Sequence, residues 1–298
     1  MKISEGDNMK EFRGKVAVIT GAGSGIGRSM AERCVQEGMI VVVTDVDEAR
    51  LAGTEDGLRA LGGTVLSVRT DVSRRGDVET LAQKTLDAFG AVHVLVNNAG
   101  VGAGGSPWEA TWNDWEWVLG VNLWGVIYGV KVFTPIMIAQ ETDCHIINTA
   151  SIAGLTVGGS SAPYSVSKHA VVALSESLYL ALDQRKSRVK VSVLCPASVK
   201  TNIVNSERSR PVELQNESDD VPPETRAYWA FMNTAVEGGI SPLQVADQVF
   251  RAMREERFYI LTHPEWLPVI QLRVDNLLRA DNPKSSAEAI RKISKPTG

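Results

Sequence analysis

The stretch KVAVITGAGSGIGRSM, residues 15–30, decides the fold. Residues 16–20 are an apolar, β-branched run, as a strand buried on both faces requires. Gly21, Gly23, Gly25 and Gly27 follow at once, with Ser24 and Ile26 among them, and a helical pattern opens inside the turn. Glycines there permit positive φ and close approach of a ligand to the backbone. The unpaired N–H groups at the helix start then favour a diphosphate. A glycine turn alone can be a mere tight connection. Its place between a buried strand and a helix points to dinucleotide binding. The spacing Gly21-x-x-x-Gly25-x-Gly27 differs from the generic Gly-x-Gly-x-x-Gly fingerprint.

Outward from this stretch the pattern repeats. Strand-like runs at 40–45, 64–69, 92–97, 145–149 and 189–195 alternate with helical spacings at 25–38, 48–61, 74–89, 112–140 and 163–185. The alternation predicts a doubly wound α/β Rossmann fold: one domain, a parallel sheet and helices on both faces. Residues 1–10 read as a polar extension without a secretory signal. Residues 200–240 begin polar, then carry Tyr228, Trp229, Phe231 and Met232, which suits a mobile lid. Ser241-Pro242 opens a further helix, and 258–262 is a last strand. Residues 264–298 form a carboxyl-terminal extension, with a helix expected over 265–279.

Composition narrows the function. The 298 residues carry a formal net charge of −4, with 22% charged and 44% hydrophobic. No basic block suits nucleic acid or an anionic membrane. No run reaches the ~20 apolar residues that span a bilayer. The scattered Cys34, Cys144 and Cys195 make neither a disulfide framework nor a zinc motif. A reduced, cytoplasmic chain without a metal is expected.

Asp45 ends the second strand, eighteen residues beyond Gly27. An acidic residue near that distance hydrogen-bonds the adenosine ribose and repels a 2′-phosphate. No Arg or Lys stands at 22–26 or directly after Asp45, so NAD is expected over NADP. The bland alternative is that Asp45 only caps the next helix.

Ser151 follows the fifth strand. Tyr164 comes thirteen residues later and Lys168 four after that, on the same helix face. An isolated Tyr-x-x-x-Lys is common, Ser151 could be a strand-end cap, and Asn122 could be a polar break in an apolar helix. Together with the glycine turn, Asn97-Asn98-Ala99-Gly100 and Asn122, these residues resemble the short-chain dehydrogenase/reductase family over about residues 12–262.

The resemblance implies hydride transfer between a nicotinamide and an alcohol or carbonyl. Tyr164 would be the general acid/base. A phenol titrates near pH ~10, and the Lys168 ammonium with the nicotinamide charge would favour its phenolate. Lys168 would also hold the nicotinamide ribose. Ser151 would orient the substrate oxygen, and Asn122 would hold a water relaying protons to Lys168. Asp71 and Val72 resemble the adenine-contacting segment. Asn98, Ala99 and Gly100 border the adenosine side. Pro196, Val199 and Thr201 match the carboxamide-binding segment, although Ala197 stands where the family usually has glycine, and alanine disfavours positive φ.

The substrate pocket is expected at 102–108, 152–163 and the lid. Leu155, Val157 and the lid aromatics favour a medium-to-large hydrophobic secondary alcohol or ketone, such as a terpenoid, steroid-like or aryl compound. Packing of the lid onto the core would use the same residues. Most of Trp108, Trp112, Trp115, Trp117 and Trp124 are expected in the core or an interface. The family's helix packing implies a homodimer or homotetramer. Residues 266–278 could cover the active site or dock on a neighbouring subunit. One rival reading is a catalytically silent nicotinamide-binding sensor or scaffold, which would not need the acid/base set. Another is a nucleotide-sugar dehydratase or epimerase, for which the chain after Cys195 leaves little room.

Overall fold

A computed structural model describes residues 11–217 and 223–284. Seven strands form one sheet: β1 (Val16–Thr20), β2 (Ile40–Asp45), β3 (Thr64–Arg69), β4 (Val94–Asn97), β5 (Cys144–Thr149), β6 (Val189–Cys195) and β7 (Tyr259–Leu261). Their order is β3-β2-β1-β4-β5-β6-β7, and every pairing is parallel. The order reverses between β1 and β4, which opens a crevice at their carboxyl ends.

Alternation along the strands builds two cores. Ala17 and Ile19 of β1 and Val41 and Val43 of β2 face α1 (Gly25–Gln36), α2 (Glu48–Ala60) and α8 (Pro242–Arg254). Val16, Val18, Val42 and Ile146 face the other way. They meet α3 (Arg75–Phe89), α5 (Gly125–Ala139) and α6 (Ala162–Gln184). Both faces of the central strands are covered, so most of their residues are apolar. The remaining helices are α4 (Trp112–Leu119), α7 (Pro223–Glu237) and α9 (Leu267–Leu278). Ser241 caps α8 as its sequence implies: its Oγ accepts from Gln244 N at 3.2 Å, and Gln244 Oε1 accepts from Ser241 N at 2.9 Å.

Two expectations are corrected. The helical pattern over 112–140 is not one helix, because a π-helical turn, Gly120–Trp124, joins α4 to α5. The continuous helical span Trp112–Ala139 has 28 residues and, by length and composition, could cross a membrane, contrary to the reading that no run approaches that size. Here Val126, Val130, Phe133 and Met137 of that span are buried against the rest of the chain. Of the five clustered tryptophans only Trp117 is core. Thr111 caps α4, so Trp108 lies before the helix and Trp112 at its first position, and both face solvent at 83% and 88% exposure.

A buried polar chain positions α6. Asn97 Nδ2 donates to Asn148 Oδ1 (2.8 Å), Asn148 Nδ2 to Ser175 Oγ (3.0 Å) and Ser175 Oγ to Val171 O (2.7 Å). In an apolar interior each unmade bond is costly, which fixes β4, β5 and α6 in one arrangement. Residues 1–10, 218–222 and 285–298, parts of the expected extensions and lid, lie outside the described residues.

Candidate active site

The crevice opens into a cavity of about 1230 Å³. At one end the glycine turn is stitched to the loop after β4. Thr20 Oγ1 accepts from Asn98 N (2.9 Å) and Ala99 N (3.0 Å), and Asn98 Nδ2 donates to Thr20 O (3.0 Å). A Cβ on Gly27 would lie 2.2 Å from Gly21 O, so only glycine lets α1 start this close to β1. Gly21, Ser24, Gly25 and Ile26 line the cavity, whereas Gly27 stands behind that wall. Ser24 is the N-cap of α1 and its side chain makes no capping bond. Asp45 Oδ2 accepts from Gly23 N (2.9 Å) and Oδ1 from Asp47 N (3.0 Å). These bonds hold the carboxylate beside the turn, and the cap of α2 is Asp47 instead. Asp71 and Val72 reach the same wall, although Asp71 Oδ1 is engaged by Ser73 N (3.0 Å) and Oγ (2.6 Å).

At the other end lie Ser151, Tyr164 and Lys168. Ser151 Oγ donates to Pro196 O (3.3 Å) and accepts from Ala153 N (3.1 Å), and its hydroxyl acts on the Tyr164 phenol. It therefore caps the following turn and faces Tyr164 as well. Lys168 Nζ donates to Thr149 O (3.0 Å), 5.6 Å from the Tyr164 ring centroid. Burial pushes the Tyr164 phenol up to about 12; the Ser151 hydroxyl opposes the rise and Tyr228 adds to it. Burial pulls Lys168 down to about 8, with Cys195 opposing. Desolvation dominates both groups, in opposite directions.

Asn122 sits in the π turn, fully buried and outside the cavity wall. Its Oδ1 accepts from Val101 N (2.8 Å), and Nδ2 donates to Val101 O (2.9 Å) and Ser167 Oγ (3.2 Å). The side chain is a brace between the loop after β4 and α6. Such π turns recur at functional sites.

After β6, Pro196, Val199 and Thr201 line the cavity, and the Thr201 methyl lies next to Gly25. Ala197 is not among the residues with positive φ, so alanine fits the segment without strain. Sequence reasoning missed its support. His263, directly after β7, receives Ala197 N–H at Nδ1 (3.3 Å) and lies 2.7 Å from Thr262 Oγ1. Burial lowers its pKa, which keeps Nδ1 free to accept. The only sequence signal was its place after a strand bordering β6.

The segment expected to be mobile is anchored in its first half. Arg210 is 2% exposed in its side chain and reaches Asp114 Oδ1 (2.6 Å), Glu207 Oε2 (2.7 Å) and Leu214 O (3.0 Å). Its guanidinium also lies 4.2 Å from the Trp117 ring centroid. Ser206 Oγ accepts from Gly102 N (3.0 Å). Beyond 218–222, α7 brings Tyr228 to the cavity wall that Ser161 also lines, and Trp229 against Gly102 and Gly104. Glu265 and Trp266 line the same cavity, so the start of the carboxyl-terminal extension covers the site.

Comparison with known proteins agrees with this geometry. The model of the short chain dehydrogenase family matches residues 15–211. The chain belongs to that family. This dehydrogenase/reductase is 36% identical to a CLA biosynthesis dehydrogenase/reductase of Lactiplantibacillus plantarum, covering 91% of this chain and 95% of the relative. It is 35% identical to the 1-deoxy-11-beta-hydroxypentalenate dehydrogenase of Streptomyces avermitilis, over 84% of each chain. A solved short-chain dehydrogenase/reductase from Burkholderia phymatum, in complex with NAD, superposes with a TM-score of 0.91 at 50% identity, covering 93% of this chain and 99% of that one.

Arg210→Ala should strip a buried carboxylate of its partner, a loss of about 3–5 kcal/mol where burial is complete. Limited proteolysis should then cut within 203–214 faster, with the helical circular dichroism kept. Unchanged digestion would show that the network does not hold the segment.

Proposed function

We propose that this chain is an NAD-preferring dehydrogenase that interconverts a hydrophobic secondary alcohol and its ketone. The observation that carries the reading is the convergence of Ser151, Tyr164 and Lys168 on one cavity that also holds Asp45 and the glycine turn. The residues fit a dinucleotide. The start of α1 offers unpaired N–H groups for a diphosphate, and Asp45 is fixed where a ribose hydroxyl would meet it.

When bound, the nicotinamide supplies the hydride acceptor or donor. Ser151 orients the substrate oxygen and donates to it as charge develops there. Tyr164 takes the hydroxyl proton in oxidation and returns it in reduction. Lys168 spends one N–H on Thr149 O and keeps two for the nicotinamide ribose. The Asn122 amide is engaged, so a water relaying protons to Lys168 would meet its main-chain carbonyl.

Trp229, Phe231, Met232, Val157 and Trp266 on the cavity wall support a medium-to-large apolar substrate over a small polyol. The relative named for hydroxypentalenate is in keeping with this. Residues 200–240 act as the lid. Trp124 and Ile138 beside Val166, Tyr179 and Leu180 of α6 leave apolar side chains exposed, which supports a homodimer or homotetramer. A monomer mass in solution scattering would contradict that assembly.

Tyr164→Phe should lower turnover by about 10²–10⁴-fold while NADH binding persists. The pH dependence follows from the phenol. Oxidation needs the phenolate, so its rate should rise with pH until Tyr164 titrates in the ternary complex. Reduction needs the phenol and should fall over the same range. Near-full activity in the variant, or an oxidation rate that falls as pH rises from neutrality, would overturn the role of Tyr164. NADH should bind more tightly than NADPH, and Asp45→Ala should narrow the gap by about ten-fold or more. Comparable affinities in the unaltered protein would defeat the NAD preference.

A further inference from the structure

Arg208 is a cation at the cavity wall that no step above uses. It belongs to the short helical segment Ile203–Ser209 and lines the same cavity as Gly21, Ser24 and Asp45. Its own segment holds it: Nη1 donates to the carbonyls of Asn202 (2.7 Å) and Asn205. Nε and Nη2 remain for a ligand, and no carboxylate among the described residues forms an ion pair with it. Two residues to either side, Ser206 is tied to Gly102 and Arg210 to Asp114, so the backbone that carries Arg208 is fixed.

Its charged neighbours are Arg50, Asp45 and Asp47. Both carboxylates are occupied. Asp47 pairs with Arg50 at 3.0 Å, and Asp45 takes the N–H groups of Gly23 and Asp47. Partial burial, then the like charge of Arg50, lowers the Arg208 pKa from its ordinary value, although an arginine stays charged. A guanidinium held under those conditions gains from an anion in the same space. The cavity wall that it shares already favours one: the N–H groups at the start of α1 and the uncommitted Ser24 hydroxyl suit phosphate oxygens. A guanidinium pairs with phosphate through charge-assisted, often bidentate bonds.

We propose that Arg208 is a phosphate-binding residue through which the lid contributes to the dinucleotide site. The inference rests on the dinucleotide reading above. It makes the segment 203–214 part of the cofactor site as well as a cover over the substrate. The phosphate is either the diphosphate or a 2′-phosphate.

Calorimetric titration of the unaltered protein, Arg208→Ala and Arg208→Lys with NADH, NADPH, ADP-ribose and adenosine tests this. Arg208→Ala should weaken a phosphate-bearing ligand by about ten-fold or more, leave adenosine unchanged, and be partly rescued in Arg208→Lys. Equal losses for NADH, NADPH and ADP-ribose assign the diphosphate, and a loss confined to NADPH assigns the 2′-phosphate. Unchanged NADH and NADPH affinities overturn the proposal, as does an equal loss for adenosine, which would mark a general distortion. If the unaltered protein binds neither NADH nor NADPH, the dinucleotide reading itself fails and this inference with it.

Discussion

An ammonium group in a nearly dry site is the constraint on which the rest of this structure turns. Lys168 is 3% exposed, and burial pulls its pKa down to about 8. Such a group is costly to hold unless its donors are met. Thr149 O meets one, at the carboxyl end of β5. A Cβ on Gly154 would lie 2.6 Å from the Lys168 carbonyl oxygen, so glycine lets the turn after β5 pack closely against α6. The π turn places Asn122 to brace α6 through Ser167, and Asn148 holds the same helix through Ser175. The role proposed for Lys168 at the nicotinamide ribose would give that burial a use.

The same burial acts on both groups: it raises the Tyr164 phenol and lowers the Lys168 ammonium. On the proposed reading, alcohol oxidation needs the phenolate. A positive nicotinamide and ribose hydroxyls beside Lys168 would supply the charge and the acceptors that the protein itself lacks. On the proposed reading the protein's part is orientation and water exclusion, and Trp229 and Trp266 on the cavity wall would serve the second.

Much of this was legible in the sequence because it rests on local rules. A buried strand followed by closely spaced glycines fixes β1, the turn and α1. The i, i+4 spacing of Tyr164 and Lys168 fixes their shared face, and Ser241-Pro242 marks a helix start. What was not legible depends on residues far apart in the chain. Arg210 reaches Asp114 across 96 positions and His263 reaches Ala197 across 66. Neither pairing leaves a periodic trace, so the contacts that hold residues 203–214 were not legible. The tryptophans divide for a related reason: Thr111 starts α4 after Trp108, so Trp108 and Trp112 face solvent while Trp117 joins the core and Trp115 is half-buried. The π turn was hidden because an apolar run looks the same with or without one extra residue per turn.

The central claim is hydride transfer from a carbinol carbon to the nicotinamide, with the cavity's apolar wall choosing the alcohol. The most direct measurement incubates the protein with NAD and a panel of cyclic, aromatic and aliphatic secondary alcohols deuterated at the carbinol carbon. The reduced nicotinamide is then weighed by mass spectrometry. The account predicts one deuterium in each NADH formed, in step with the ketone, and more product from the bulky apolar alcohols than from small polyols. NADH that binds tightly while no alcohol in the panel yields labelled product would contradict it and favour a silent nicotinamide-binding sensor.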